Sequence, residues 1–126
     1  MKQITGDGSI TFYSPEYDEC YHSKSGAVEE AVEKYVKPCK IAELAKKGRV
    51  RVLDICFGLG YNAIAAIDSA IQENPNCEIE VFSLEKDSSV FEKIKELKPN
   101  LNHYWILDKL EYDFKTKSYS YEDKNI

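Results

Sequence analysis

The chain has 126 residues and a formal net charge of −5, with 43% hydrophobic and 31% charged residues. This composition is typical of one globular domain and excludes an intrinsically disordered chain. No apolar run approaches the roughly 20 residues that cross a bilayer, and no signal-peptide pattern follows Met1. We therefore expect a cytoplasmic protein without a membrane partner. No two of the four cysteines have the C-x-x-C spacing of a zinc site, so we expect no metal.

The first region, residues 1–48, is predicted to contain a β-hairpin or two short strands over residues 4–22, followed by a helix. That helix starts near Gly26 and ends at Pro38, because proline cannot continue a helix. Its apolar face comprises Ala27, Val28, Ala31, Val32, Tyr35 and Val36. A further short helical piece is expected over residues 41–47.

The second region, residues 49–98, opens with a strand, a loop and a helix. Residues 50–55 are β-branched and aliphatic, which predicts a buried strand. A loop over residues 56–60 carries two glycines one residue apart, and an apolar helix follows over residues 61–71. Glycines let a ligand approach the backbone, and the free N–H groups of the helix's first turn face it. This pattern predicts a site for a nucleotide-like ligand, the alternative being the same unit without a ligand.

Asp54 lies on the predicted strand, four residues before Gly58, and its charge selects among nucleotide-like ligands. A carboxylate at this position would oppose a pyrophosphate and favours a cation, such as an amino group or a sulfonium. Ala63, three residues after Gly60, is allowed by the looser form of the dinucleotide fingerprint. An NAD-binding module therefore stays open as the weaker alternative.

The next predicted strand covers residues 78–84, and Glu85 follows at its carboxyl end. An acidic residue about 20 residues beyond a glycine loop, at the tip of the next strand, typically binds ribose hydroxyls. Glu85 has this position, with the charged start of a solvated helix as the alternative role. A helix is expected over residues 88–97, with Ser89 and Glu92 spaced as a capping box.

The third region, residues 99–126, is a polar tail in which residues 103–107 and Leu110 indicate a short helix packed on the domain. Residues 115–125 are polar and indicate a loop or a frayed end.

The order of elements predicts an α/β fold. It consists of an N-terminal β-hairpin and helix, followed by the first βαβα half of a Rossmann-like domain. Parallel strands are normally buried on both faces and flanked by other strands. This sequence predicts only two parallel strands, so they cannot both be flanked in this way. One of them would be an exposed edge. We therefore expect a truncated domain, or one whose sheet a second polypeptide completes.

The spacing Asp-x-x-x-Gly-x-Gly after an apolar strand resembles the first motif of methyltransferases that use S-adenosyl-L-methionine (SAM). Three segments narrow this resemblance to the MnmC-like tRNA 5-methylaminomethyl-2-thiouridine methyltransferases. They are residues 7–13 (DGSITFY), 21–27 (YHSKSGA) and 53–62 (LDICFGLGYN). The family methylates an aminomethyl nitrogen on the wobble uridine of tRNA. The resemblance therefore implies SAM as the cofactor and tRNA as a partner, although the acidic composition gives RNA binding no independent support.

The resemblance also implies roles for individual residues. Asp54 would lie at the base of the SAM loop, and Glu85 would hold the ribose. Tyr21 and His22 would lie near the methionine end of the cofactor, with an ordinary exposed or capping histidine as the alternative for His22. The implied cofactor-binding residues are Asp54, Phe57, Gly58, Gly60, Asn62, Glu85, Tyr21 and His22.

The chain departs from this family in a feature that bears on catalysis. The family places an acidic residue in an Asp-x-Phe-x-Pro setting beside the amine to be methylated, and this sequence has no such motif. Asp113 and Phe114 lack both the proline and a preceding apolar strand. The segment that would bind adenine is also missing. The catalytic residues stay unknown, and we expect little or no methyl transfer by these residues alone.

Two other functions stay open. Tyr21-His22 ahead of a helix and a glycine loop also resembles the polyamine aminopropyltransferases, which use decarboxylated SAM. Their loop is normally richer in glycine and acid than residues 56–60. A non-catalytic interaction subunit would instead keep the fold and pair with a partner through its exposed strand edge.

Overall fold

A computed structural model describes the backbone of residues 2–4, 10–14 and 19–20, and residues 26–126 with their side chains. The strands are β1 Lys2–Ile4, β2 Ile10–Ser14, β3 Glu19–Cys20, β4 Arg49–Ile55, β5 Glu78–Leu84, β6 Glu111–Asp113 and β7 Ser118–Ser120. The helices are α1 Ala27–Glu30, its π-helical continuation Ala31–Val36, α2 Ile41–Lys46, α3 Tyr61–Glu73, α4 Val90–Ile94 and the 3₁₀ helix Tyr104–Lys109. None of the described helices is long and apolar enough to cross a membrane.

The described strands form three sheets, which makes the fold a mixed α/β structure as predicted. β1, β2 and β3 pair antiparallel in that order, which confirms the predicted hairpin. β4 and β5 pair in parallel, and β6 and β7 pair antiparallel. The chain passes from β4 through α3 to β5, so the strand–loop–helix–strand unit predicted from the sequence is confirmed.

The core lies between α3 and one face of the parallel pair. α3 contacts β4, β5, α2 and the π-helical segment, which together cover its apolar surface. Isoleucine and alanine at helical spacing supply that surface. Its fully or nearly buried members include Ile64, Ala65, Ala66, Ile67 and Ala70, which belong to one core cluster with Val50 of β4 and Ile79 of β5.

The other face of the parallel pair is open among the described residues. Leu53 and Ile55 are 66% and 58% exposed, and their partners in register, Phe82 and Leu84, are 63% and 49% exposed. The prediction that residues 50–55 form a fully buried strand is therefore wrong, because alternate side chains point away from α3. The expectation that a second polypeptide completes this sheet stays a prediction.

The first helix differs from the regular helix that the apolar spacing predicted. After Glu30 it continues as a π-helix, in which the Lys37 amide donates to the Val32 carbonyl at 2.9 Å. Bonding over five residues widens the turn and shifts the side chains away from 3.6-residue spacing. Tyr35, predicted on the apolar face, is consequently 46% exposed.

The helix after β5 is shorter than predicted and has no capping box. It covers Val90–Ile94, and the Ser89 side chain makes no capping hydrogen bond. The Asp87 carboxylate instead accepts the Ser89 amide at 3.0 Å. Asp87, two residues before Ser89, therefore takes the amide that the predicted capping box assigned to Glu92.

The C-terminal region contains the predicted short helix and a hairpin that the sequence did not indicate. The 3₁₀ helix buries Tyr104, Ile106 and Leu107. β6 and β7 then pair through Tyr112 and Tyr119, so the prediction of a loop over residues 115–125 is wrong for Ser118–Ser120. Cross-strand aromatic contact stabilises such a pair despite its polar flanks.

We predict that two leucines only six residues apart respond differently to truncation, because one is buried and one lies on the open sheet face. Leu59 is 0% exposed and Leu53 is 66% exposed. Leu59→Ala should lower the free energy of unfolding by about 2–5 kcal/mol, and Leu53→Ala by less than about 1 kcal/mol. Urea unfolding of both variants measures the difference, and equal losses would show that the sheet face is covered.

Candidate ligand-binding site

The loop over residues 56–60 leaves the carboxyl end of β4 and turns sharply into α3. Three of its residues have left-handed backbone: Cys56 with φ of 65°, Gly58 with 57° and Gly60 with 81°. Glycine adopts this conformation without the steric cost that other residues meet. The two glycines that the sequence singled out therefore occupy the positions where the turn requires them.

Gly58 and Gly60 have different surroundings. A Cβ added at Gly60 would lie 2.7 Å from Leu107 Cδ1 and 2.9 Å from Phe57 Cζ, so this glycine is closely packed by protein. Among the described residues, a Cβ added at Gly58 would meet nothing nearer than the Cys56 carbonyl oxygen at 3.9 Å. The described residues therefore leave room for a ligand to approach the backbone at Gly58, whereas Leu107 and Phe57 occupy the space beside Gly60.

Asp54 is a buried acid on the helix-facing side of β4, with 9% of its surface exposed. Its Oδ2 accepts a hydrogen bond from Ser83 Oγ at 3.1 Å across the parallel pair. Burial raises the pKa of Asp54 above the ordinary 3.8, the charge of Glu85 raises this pKa further, and the Ser83 hydrogen bond opposes the rise. A positive group at this position would stabilise the ionised carboxylate.

Glu85 lies beside the glycine loop at the end of β5. Its Oε1 accepts the Gly58 amide at 2.8 Å, and its Oε2 accepts the Asp87 amide at 3.0 Å. The Phe57 amide donates to the Leu84 carbonyl at 2.9 Å, which extends the contact between the two strands into the loop. A carboxylate has about four lone-pair sites, so these two bonds leave acceptor capacity for ligand hydroxyls.

Asn62 lies in the first turn of α3, and its side chain holds an unpaired acceptor. The Oδ1 atom is buried without a hydrogen-bond partner among the described residues. A buried acceptor without a donor costs about 1–3 kcal/mol. Such an atom next to the glycine loop is a candidate acceptor for a donor carried by a ligand.

Six of the eight sequence-predicted residues therefore lie at or next to one loop. Phe57 is half-buried and stacks on Phe91, with ring centroids 6.3 Å apart, so part of its role is packing. The other five are Asp54, Gly58, Gly60, Asn62 and Glu85. Tyr21 and His22 lie outside the described residues.

Sequence reasoning missed Ser83, which bonds Asp54. The sequence did hold a signal for it. β4 and β5 pair from their first residues, Arg49 with Glu78, and this register places Asp54 opposite Ser83. A lone hydroxyl among the apolar side chains on the helix-facing side of β5 needs a polar partner. The register that supplies the partner became visible only in the structure.

Comparison with known proteins finds relatives for part of the chain, while no family model matches it. The uncharacterized protein MJ0670 of Methanocaldococcus jannaschii is 44% identical over 80 residues, which cover 64% of this chain and 20% of that protein. The crystal structure of MnmC2 from Aquifex aeolicus superposes with a TM-score of 0.65 and 41% identity over 69% of this chain. Over this matched part, the chain is related to the MnmC-like methyltransferase family. The resemblance read from the motifs is thereby confirmed.

The relationship covers a limited share of each relative. This chain spans about three tenths of the MnmC2 chain and about a fifth of MJ0670. The match alone therefore does not give this chain the activity, substrates or partners of the longer proteins.

We predict that alanine at the two loop glycines separates backbone strain from packing. Gly58→Ala should cost about 1–2 kcal/mol, because the left-handed φ is the main penalty. Gly60→Ala should cost about 1–3 kcal/mol more, because its Cβ also displaces Leu107 and Phe57. Thermal and urea unfolding measure both values, and a larger loss at Gly58 than at Gly60 would contradict the described packing.

Proposed function

We propose that this chain binds SAM at the Gly58 side of the loop, as the cofactor-binding part of a Rossmann-like methyltransferase. The observation that carries the proposal is the convergence of two carboxylates, Asp54 and Glu85, on a left-handed glycine turn at the start of α3. The relationship to MnmC2 supports the same cofactor class. By that relationship alone, we propose the wobble-uridine aminomethyl group of tRNA as the methyl acceptor.

Charge supports SAM over a pyrophosphate cofactor. SAM carries a sulfonium and an ammonium group, and either would offset the cost of keeping Asp54 ionised while it is buried. A pyrophosphate would add negative charge beside Asp54 and Glu85, whose mutual repulsion already raises the pKa of Asp54. The site therefore favours a ligand with positive charge near β4.

Hydrogen-bonding capacity supports an adenosyl group next to Glu85. The two remaining acceptor sites on its carboxylate match the two hydroxyls of a ribose. Glu85 is held in place by the Gly58 and Asp87 amides, so it need not be ordered when the ligand binds. The unpaired Asn62 Oδ1 offers a further acceptor to a hydroxyl or ammonium donor.

These residues have a cofactor-binding role, and none of them is assigned to aligning the acceptor amine. Asp113, the nearest sequence match to the family's acidic motif, lies in the C-terminal hairpin and accepts the Lys115 amide at 2.8 Å. Methyl transfer needs an unprotonated amine aligned with the SAM methyl group and shielded from water. SAM supplies the methyl group, and the residues described here would hold and orient its adenosyl and methionine parts.

We predict that Glu85→Gln weakens SAM binding by about ten- to a hundredfold, because a charged acceptor contributes about 1.5–3 kcal/mol. Glutamine keeps an oxygen that can accept the Gly58 amide, so the loop should persist. Glu80→Gln is the matched control, because Glu80 lies on β5, the strand that Glu85 follows, in an exposed pair with Arg51. Isothermal titration calorimetry measures both dissociation constants, and equal affinities would contradict the role of Glu85.

The same titration discriminates between the candidate functions. Tighter binding of decarboxylated SAM than of SAM would favour an aminopropyltransferase-like protein. Binding of NAD in preference to both would favour a dinucleotide module. Binding of none of the three would leave the non-catalytic interaction subunit as the surviving alternative.

We predict that Asp54→Asn has opposite effects on stability and on SAM binding. The folded-state pKa of Asp54 is raised by burial, so its ionised form destabilises the fold at neutral pH. Asparagine should therefore raise the free energy of unfolding at pH 7, and this gain should disappear below pH 3.8, the ordinary pKa. SAM affinity should fall in the variant, and in the wild type as acidification neutralises Asp54.

Urea unfolding from pH 7 to pH 3 and calorimetry over the folded part of that range measure these effects. Ser83→Ala serves as the control, because it removes the hydroxyl donor and keeps the charge. A destabilised Asp54→Asn protein at pH 7, or SAM affinity unchanged by this substitution, would contradict the assignment of Asp54.

A further inference from the structure

The 3₁₀ helix packs directly against the glycine loop, although more than 40 residues separate them in the sequence. Tyr104 is 8% exposed, and its hydroxyl donates to the Leu59 carbonyl oxygen at 2.7 Å. Its ring meets that of Tyr61 edge-on, with centroids 5.7 Å apart. One side chain thereby contacts both the last part of the loop and the first residue of α3.

Leu107, one turn further along the 3₁₀ helix, fills the space that Gly60 leaves. Its Cδ1 lies 2.7 Å from the position a Cβ would take at Gly60. The absence of a side chain at Gly60 therefore allows the 3₁₀ helix to pack closely, whereas no described residue packs against the Cβ side of Gly58.

Asp68 of α3 forms hydrogen bonds with Asn102 and His103, which immediately precede the 3₁₀ helix. The Asp68 carboxylate accepts the Asn102 amide at 2.7 Å, the His103 amide at 3.0 Å and His103 Nδ1 at 2.5 Å. These bonds satisfy free amides at the start of the 3₁₀ helix. The segment is thus held at Asp68 and at Leu59, on either side of the first turns of α3.

We propose that Tyr104 is a positioning residue for the cofactor loop: its bond to Leu59, with Leu107 against Gly60, holds the loop so that Gly58 faces the ligand. This inference rests on the proposed SAM site. A preformed loop binds more tightly than one that must be ordered when the ligand arrives.

The phenol is suited to this role because it keeps its proton at neutral pH. Burial raises the pKa of Tyr104 above the ordinary 10.0, and the neighbouring Tyr61 and Asp108 raise it further. The hydroxyl therefore keeps its proton and remains a donor. Without it, the carbonyl of Leu59, a residue that is 0% exposed, loses its side-chain donor.

The test is Tyr104→Phe, which removes one oxygen and keeps the ring. We expect SAM affinity to fall about tenfold, which corresponds to about 1.4 kcal/mol. NMR should show a changed Leu59 carbonyl shift and broadened Gly58 and Gly60 amides. Tyr121→Phe is the matched control, because the Tyr121 hydroxyl bonds Asp123 near the C-terminus, and it should leave affinity and loop signals unchanged.

A second control separates positioning from general destabilisation. Ile94→Val removes one methyl group from a residue of α4 that is 2% exposed, and should cost about 0.5–1.5 kcal/mol of stability. Measured where both variants are fully folded, its SAM affinity should match the wild type. Should Tyr104→Phe fail to fold, Leu107→Val tests the same contact and should weaken binding by a smaller factor.

Wild-type affinity and wild-type loop signals in Tyr104→Phe would overturn the inference. If the wild-type chain binds no SAM, the proposed function fails, and the NMR signals still decide whether Tyr104 positions the loop. If SAM binds equally to wild type and variant, the positioning role fails and the SAM site stands.

Discussion

The hydrogen bond from the Gly58 amide to the Glu85 carboxylate, 2.8 Å long, joins the ends of the two parallel strands at the candidate site. It forms because β4 and β5 pair with no offset, so that the loop after one strand and the acid after the other meet at the same edge. The Phe57 amide bond to Leu84 reinforces this junction. The loop sets where α3 begins and therefore where Asn62 lies, whereas the pairing of β4 with β5 sets the position of Asp54.

The candidate site carries features that reduce the stability of the protein without a ligand. Burial and the charge of Glu85 both disfavour the ionised form of Asp54, and the buried Asn62 Oδ1 has no hydrogen-bond partner in the described part of the chain. Cys56 has a left-handed φ of 65°, which is uncommon for a residue other than glycine. Strain and unpaired polar groups concentrate at functional sites more often than elsewhere. Their coincidence at one loop supports a site that a ligand completes.

The open face of the parallel sheet has a charged half and an apolar half, which follow each other along the strands. At the beginning of the strands, Arg49 and Arg51 lie near Glu78 and Glu80, with charged groups 3.9 and 3.4 Å apart. At the carboxyl end, next to the site, the same face carries exposed Leu53, Ile55, Phe82 and Leu84. Exposed apolar groups gathered in one place typically mark an interaction surface. The apolar half of this face lies at the same end of the sheet as the glycine loop.

Much of the unit around the site could be read from the residues, because its signals are local. The apolar strands, the two glycines, the alanine and isoleucine spacing of α3 and the position of Glu85 are patterns over a few residues. Local signals failed where another part of the chain decided the outcome. The π-helical turn that exposes Tyr35 and the β6–β7 hairpin both depend on packing that no short window contains.

By itself, the sequence determined the strand–loop–helix–strand order, the kind of charge beside the glycine loop and the family to which the matched part is related. Only the tertiary structure decided which glycine Leu107 packs against and which one the described side chains leave open, and that Ser83 is the partner of Asp54. The spacing of residue types along a chain predicts backbone conformation, because that conformation depends mainly on neighbouring residues. Which distant side chains meet depends on strand register and helix packing, and these are settled only when the whole core assembles.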